Sequence, residues 1–231
     1  MVYSQVKITA FLKKNIKFTQ SGEVIGKIIS KAMLLDEELK AMHKNREYKY
    51  VYNNLYPVEK TGIYEEGRVY IFNIRSFNKK FISKIKKLLS KVNSEFMRIL
   101  AVEENSINQK YITELYTMTP VIVTVNNKPW LLNDGDLMFF QKRLQDNLEK
   151  KYKEIFGQEL DTKQSFIQGI EILNEKPMVF QYKGIKLLGN KVKIVVNEDE
   201  QSQKLAFIAT GMGLGEKGSS VGAGYCHAHY L

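Results

Sequence analysis

The chain is poor in several residue types, and each scarcity excludes something. It holds one cysteine, Cys226, in 231 residues. No disulfide can close within it, and no zinc site built on several thiolates can form. A lone thiol suits a reducing compartment, so a cytoplasmic location is expected. Prolines number four, and no Pro/Gly/Ser-rich linker divides the chain. No apolar run approaches the ~20 residues of a membrane-spanning helix. The opening MVYSQVKITAFLKKNIKF lacks the long apolar run that follows the basic segment of a secretory signal, and no membrane partner is expected. Acidic residues are in deficit, 25 Asp and Glu against 35 Lys and Arg, a net charge of +10. Such a surplus attracts polyanions, nucleic acid before an anionic membrane surface. Histidine is scarce too: His43, His227 and His229 are the whole set. No tight Asp/Glu or His/Glu cluster of the kind metal nucleases use is visible, so no metal and no other cofactor is expected.

What is present reads as an α+β protein. Val2–Leu12 is β-rich and loosely alternating, a strand. Gly22–Met42 carries Ile25, Ile28, Ile29, Ala32, Met33 and Leu35 at helical spacing, with Ser21 placed to cap it. Tyr48–Leu55 and Arg68–Arg75 read as strands, Lys79–Lys91 as a basic amphipathic helix, and Glu95–Glu103 as a strand. Strand, helix, strand, strand, helix, strand is the order of the ferredoxin-like motif. A second series follows: strand Thr119–Val125, helix Asp134–Phe156, strands Phe166–Leu173, Val179–Tyr182, Lys191–Val196 and Leu205–Thr210, a loop Gly211–Gly224 and a closing strand Tyr225–Tyr230. The outline predicts two tandem ferredoxin-like (RRM-like) halves, 1–112 and 113–231, packed together. The loop Asn105–Met118 is the expected boundary, and β-hairpins replace part of the helix in the second half.

Gly211–Gly224 holds six glycines in fourteen residues. Glycine allows φ > 0 and close backbone approach to a ligand, and such loops often cradle phosphates. Gly213-Leu-Gly215-Glu-Lys-Gly218 spells G-x-G-x-x-G, but a dinucleotide site needs a following helix and a βαβ unit, and only thirteen residues remain. A P-loop fails because Glu216 separates Gly215 from Lys217. A hairpin with glycine bulges is the structural alternative.

The segment resembles the C-terminal glycine-rich signature of the CRISPR-associated repeat-RNA endoribonucleases, within the repeat-associated mysterious protein superfamily. That pattern is Gly-hydrophobic-Gly, five residues including a Lys or Arg, then Gly-hydrophobic-Gly. Here Gly213-Leu214-Gly215 and Gly222-Ala223-Gly224 form the ends and Lys217 is the basic residue; six residues intervene, and Ala223 is small. The resemblance extends to His43 after the first helix, to the segment Asn53–Pro57, and to Thr119-Pro120-Val121. It implies a metal-independent endonuclease that cuts CRISPR repeat RNA into guide RNAs through attack of the 2′-OH, leaving a cyclic phosphate. CRISPR repeat RNA is the implied partner, with a CRISPR effector complex and a homodimer left open.

Such chemistry needs a base for the 2′-OH, an acid for the leaving oxygen and cations for the phosphorane charge. Histidine titrates near neutrality and suits the proton transfers. His43 falls where the family's catalytic His lies, and Lys49, six residues on, matches its Lys. The family's Tyr corresponds to Ile28, leaving Tyr48, Tyr3 or Lys31 to stand in, or His43 and Lys49 to act alone. Without the resemblance, His43 reads as a helix C-terminal cap. RNA contacts are expected from Lys44, Arg46, Gly213, Gly215, Lys217, Ser219, Ser220, Gly222 and Gly224. His227 and His229 alternate on the last strand and share a face, as metal ligands or as structural residues; Cys226 points the other way with Ala228. The basic helix 79–91 either grips RNA backbone or is a solvated face. A non-catalytic RNA-binding subunit and a binding module for an acidic protein remain as other functions.

Overall fold

The computed structural model describes residues 1–231, apart from the side chain of Asp134. The first half contains β1 (Val2–Leu12), β2 (Ile16–Lys17), α1 (Phe18–Met33), α2 (Glu37–Lys44), β3 (Val51–Tyr52), β4 (Ile63–Tyr64), β5 (Val69–Ser76), α3 (Lys79–Leu88) and β6 (Met97–Asn108). The second contains β7 (Ile112–Thr117), β8 (Thr124–Val125), β9 (Lys128–Pro129), α4 (Leu137–Phe156), β10 (Ile167–Ile172), β11 (Met178–Tyr182), β12 (Ile185–Gly189), β13 (Val192–Val196), α5 (Glu200–Met212), α6 (Gly218–Val221) and β14 (Cys226–Tyr230). Two four-stranded antiparallel sheets result, ordered β3-β5-β1-β6 and β10-β13-β7-β14.

Alternation explains the first sheet. Val6, Ile8, Ala10 and Leu12 of β1 face a core shared with Ile25, Ile28 and Ile29 of α1 and Phe81, Ile82 and Ile85 of α3. Tyr3 of the same strand belongs to the other core, with Phe207, Leu205 and Leu214, and so bridges the halves. Arg75 of β5 does likewise. It is 6% exposed, and its guanidinium donates to the carbonyls of Thr210 (2.9 Å) and Cys226 (2.7 Å), with Nε on Gln5 (2.7 Å).

Several sequence expectations need correction. The single helix Gly22–Met42 is two helices. Asp36 accepts from the N–H groups of Glu38 and Leu39 and starts α2 afresh. Ser21 lies inside α1, its hydroxyl bonded to the Phe18 carbonyl, and caps nothing. The strand expected at Tyr48–Leu55 shrinks to Val51–Tyr52. Asn105–Met118 is not a loop, because β6 runs to Asn108 and β7 starts at Ile112. Thr119–Val125 makes two isolated bridges, Val121 to Asn190 and Ile122 to Glu216, before the short β8. Leu205–Thr210 is helix: every residue from Leu205 to Met212 is buried, so the apolar periodicity that marks a half-buried helix is missing. Part of the glycine-rich stretch is helical too, in α5 and α6.

Candidate active site

The turn after α2 sets the place of His43. Arg46 sits at φ +60, its N–H donates to the His43 carbonyl (3.3 Å), and that of Glu47 donates to Met42 (3.0 Å). This is a Schellman closure with arginine at the position that glycine normally fills. The chain then doubles back and lays Tyr48 against the helix end. The Tyr48 hydroxyl donates to the His43 carbonyl (3.1 Å) and lies 3.1 Å from His43 Nδ1. When the hydroxyl gives its one proton to the carbonyl it accepts from Nδ1–H, the tautomer in which Nε2 is the ring's acceptor. Burial raises the Tyr48 phenol above its ordinary value, so it stays a neutral partner.

His43 opens on a cleft of about 480 Å³. Its walls come from α1, with Lys27, Ile28, Ser30 and Lys31; from Ser94–Phe96; and from the second half, with Tyr182 at the end of β11, Lys183 of the turn that follows, and Ser219 and Ser220 of α6. Two glycines on α1 make this assembly close. A Cβ on Gly22 would overlap the Val221 carbonyl, and one on Gly26 would crowd the Tyr52 hydroxyl and the Ser220 carbonyl. The spacing Gly22-x-x-x-Gly26 is the sequence signal for this contact. Lys27, Tyr182 and Lys183 carry no sequence signal of their own. Each is one basic or aromatic residue among many, and the contact between α1 and the β11–β12 hairpin selects them.

The residues proposed from sequence fall into groups. His43, Ser219 and Ser220 line the cleft together, as do two of the candidate stand-ins for the missing tyrosine, Tyr48 and Lys31. The third, Tyr3, is buried against Phe77 and Phe207. Lys44, Arg46 and Lys217 are exposed beside these elements. The amine of Lys49 is not among the cleft groups; it donates to the Glu154 carbonyl (2.8 Å), in the last turn of α4. Gly213, Gly215, Gly222 and Gly224 are all buried at positive φ. For three of them the nearest neighbour is protein backbone, Ile122 for Gly215, Tyr52 for Gly222 and Leu214 for Gly224, and Gly213 lies nearest the Val51 side chain.

On β14, His227 and His229 are exposed while Cys226 is buried. Among the described residues, no group of three or more His, Cys, Asp or Glu is placed to hold a metal ion. The basic helix α3 is partly neutralised: Lys80 pairs with Glu38, Lys84 with Asp36 and Glu38, and Lys86 with Glu104. Among the described residues, no helix is long and apolar enough to cross a membrane.

Comparison with curated proteins gives no match. Solved structures resemble the whole chain. One described as CRISPR associated protein Cas6 superposes with a TM-score of 0.75 at 18% identity, covering 98% of this chain and 99% of that one. A RAMP protein binding different RNA substrates gives 0.72 at 17% identity, with 98% and 99% covered. A Cas6-related protein from Pyrococcus furiosus gives 0.72 at 18% identity, with 98% of each chain covered. The family model for CRISPR associated protein Cas6, C-terminal, matches residues 101–227, more than half of the sequence and the whole glycine-rich segment. The chain belongs to the Cas6 family of CRISPR-associated RNA-processing proteins.

Proposed function

We propose that this chain is an endoribonuclease that cuts CRISPR repeat RNA without a metal, and that His43 carries the proton transfer. The observation behind this reading is the pairing of His43 with Tyr48 at the mouth of a cleft rimmed by Lys27, Lys31 and Lys183. His43 Nε2 takes the proton of a 2′-OH. The 2′-oxygen bonds to the adjacent phosphorus, the bond from phosphorus to the 5′-oxygen breaks, and that oxygen receives a proton. The products are a cyclic phosphate and a 5′-hydroxyl. Charge on the phosphorane is met by nearby cations. Lys31 lines the cleft for this role, Lys27 lines it while paired with Glu23 (3.0 Å), and Lys49, bonded to the Glu154 carbonyl, is the cation that the family resemblance adds. Lys44, Arg46, Lys217, Ser219 and Ser220 supply RNA contacts at the edges. The four buried signature glycines act by letting the segment pack.

The strand orders support reading the two sheets as two ferredoxin-like halves. Within each, the second, third, first and fourth strands lie side by side. The three residues Gln109–Tyr111 between β6 and β7 support a division near residue 112. The lone buried Cys226 suits a cytoplasmic setting.

The deciding experiment incubates the purified protein with end-labelled repeat RNA from the host array in EDTA. A 2′-deoxy substitution at the cut site and His43→Ala serve as controls. Cleavage at one site, lost in both controls, is the expected result. Unchanged cleavage by His43→Ala overturns the assignment, and tight binding without cleavage points to the non-catalytic RNA-binding subunit.

A further inference from the structure

The glycine-rich segment has a side turned away from the cleft, toward α4, where one side chain holds it. Lys151 donates to the carbonyl of Gly213 (2.7 Å) and to that of Gly215 (2.8 Å). Gly213 closes α5 at φ +77 and Gly215 follows at φ +64, so the amine meets the electronegative end of a helix where the chain bends twice. Among the described residues, no carboxylate forms an ion pair with Lys151. Glu154 of α4 and Glu216 of the loop face it at longer range and favour its charge, while the Cys226 thiol of β14, pushed up to about 12 by burial, faces it as a neutral group. Glu216 is engaged elsewhere, accepting from the Thr124 N–H and lying 3.8 Å from Arg143. Desolvation outweighs these neighbours and draws the Lys151 amine down to about 8. A desolvated ammonium whose bonds go only to main-chain carbonyls is unfavourable by itself. What it secures is the path of the chain from Gly213 into Lys217, Ser219 and Ser220.

We propose that Lys151 is a positioning residue for the glycine-rich segment: its charged amine fixes the carbonyls of Gly213 and Gly215, and RNA affinity through the segment falls when the amine is neutral. The last step rests on the RNA-binding function proposed above. Bonds from a charged donor are about twice as strong as those from a neutral one, so the segment loosens as the amine loses its proton.

The test compares wild type, Lys151→Met and Lys151→Arg as full chains. Amide hydrogen exchange across 211–224, without RNA, reads the clamp directly. Lys151→Met is expected to lose about tenfold in protection, and Lys151→Arg to stay near wild type. Affinity for a synthetic single-stranded repeat RNA is then measured in a His43→Ala background, on either side of about pH 8. Wild type is expected to weaken about tenfold more than Lys151→Arg as pH rises, because arginine keeps its charge. Unchanged protection in Lys151→Met overturns the clamp. Lost protection with unchanged affinity overturns the segment's part in RNA binding. If Lys151→Met does not fold, wild-type protection across the same pH range decides: a loss that Lys151→Arg lacks supports the clamp, and coincident curves overturn it. A wild type that binds no repeat RNA counts against the proposed function, and the exchange data still decide on the clamp.

Discussion

At the scale of single residues, the turn after α2 separates two effects that arginine combines. Arg46 holds a left-handed conformation that costs an L-residue about 1 kcal/mol, partly offset by glycine's greater freedom in the unfolded chain. Arg46→Gly is therefore expected to stabilise the protein by about 0.5 kcal/mol while weakening RNA binding. Denaturant unfolding and filter binding read the two effects independently, and a loss in both would show that the side chain has a structural partner. Tyr48→Phe removes the hydroxyl that orients His43 and leaves the ring in place. It is expected to lower the cleavage rate about tenfold with little change in RNA affinity. Equal rates would mean that the His43 ring needs no such anchor.

At the scale of elements, legibility followed the way each segment is buried. β1, β5 and α3 each present one apolar face to a core, and the sequence pattern marks β1 at its observed bounds and the other two within three residues. α5 is covered on all sides, so Leu205-Ala-Phe-Ile-Ala-Thr210 has no polar stripe and reads equally well as a buried strand. The break between α1 and α2 was hidden because Leu34 and Leu35 continue the apolar run while standing half exposed. In the site, His43 and the glycine signature are legible through family resemblance. Tyr182 and Lys183 come from a hairpin distant in sequence that no local pattern links to α1.

The break also carries a pH dependence. Asp36 caps α2 and accepts two bonds from Lys84 (2.7 and 2.9 Å). Its hydrogen bond with Lys84, helped by the Leu39 N–H, holds the carboxyl below its usual 3.8. A lowered pKa contributes stability above the unfolded value, and that contribution is lost as pH falls through the folded one. Asp36→Ala is thus expected to melt a few degrees lower at neutral pH, with the gap closing in acid below about 3.8. A gap that persists at the acid end would assign the loss to packing.

At the scale of the molecule, the two halves meet through few polar contacts, and Arg75 makes the central ones. Arg75→Leu leaves the Thr210 and Cys226 carbonyls without their charged donor and removes a cation seated 4.1 Å from the Tyr225 ring centroid. A loss of about 3 kcal/mol in unfolding free energy is expected from urea titration. A loss below about 1 kcal/mol would show that water replaces the guanidinium.

The cleft is made by both halves: His43, Tyr48 and Lys31 from one, Ser219, Ser220, Tyr182 and Lys183 from the other. That arrangement restricts recombination within the family. A chimera that exchanges one half for a relative's inherits a wall cut for another partner, because the fit of Gly22 and Gly26 against Val221 and Ser220 spans the crossover. Evolution by half-swapping is closed to such a protein unless both sides of that seam travel together, and the same constraint makes it a candidate for a split reporter whose fragments are silent until they are brought together.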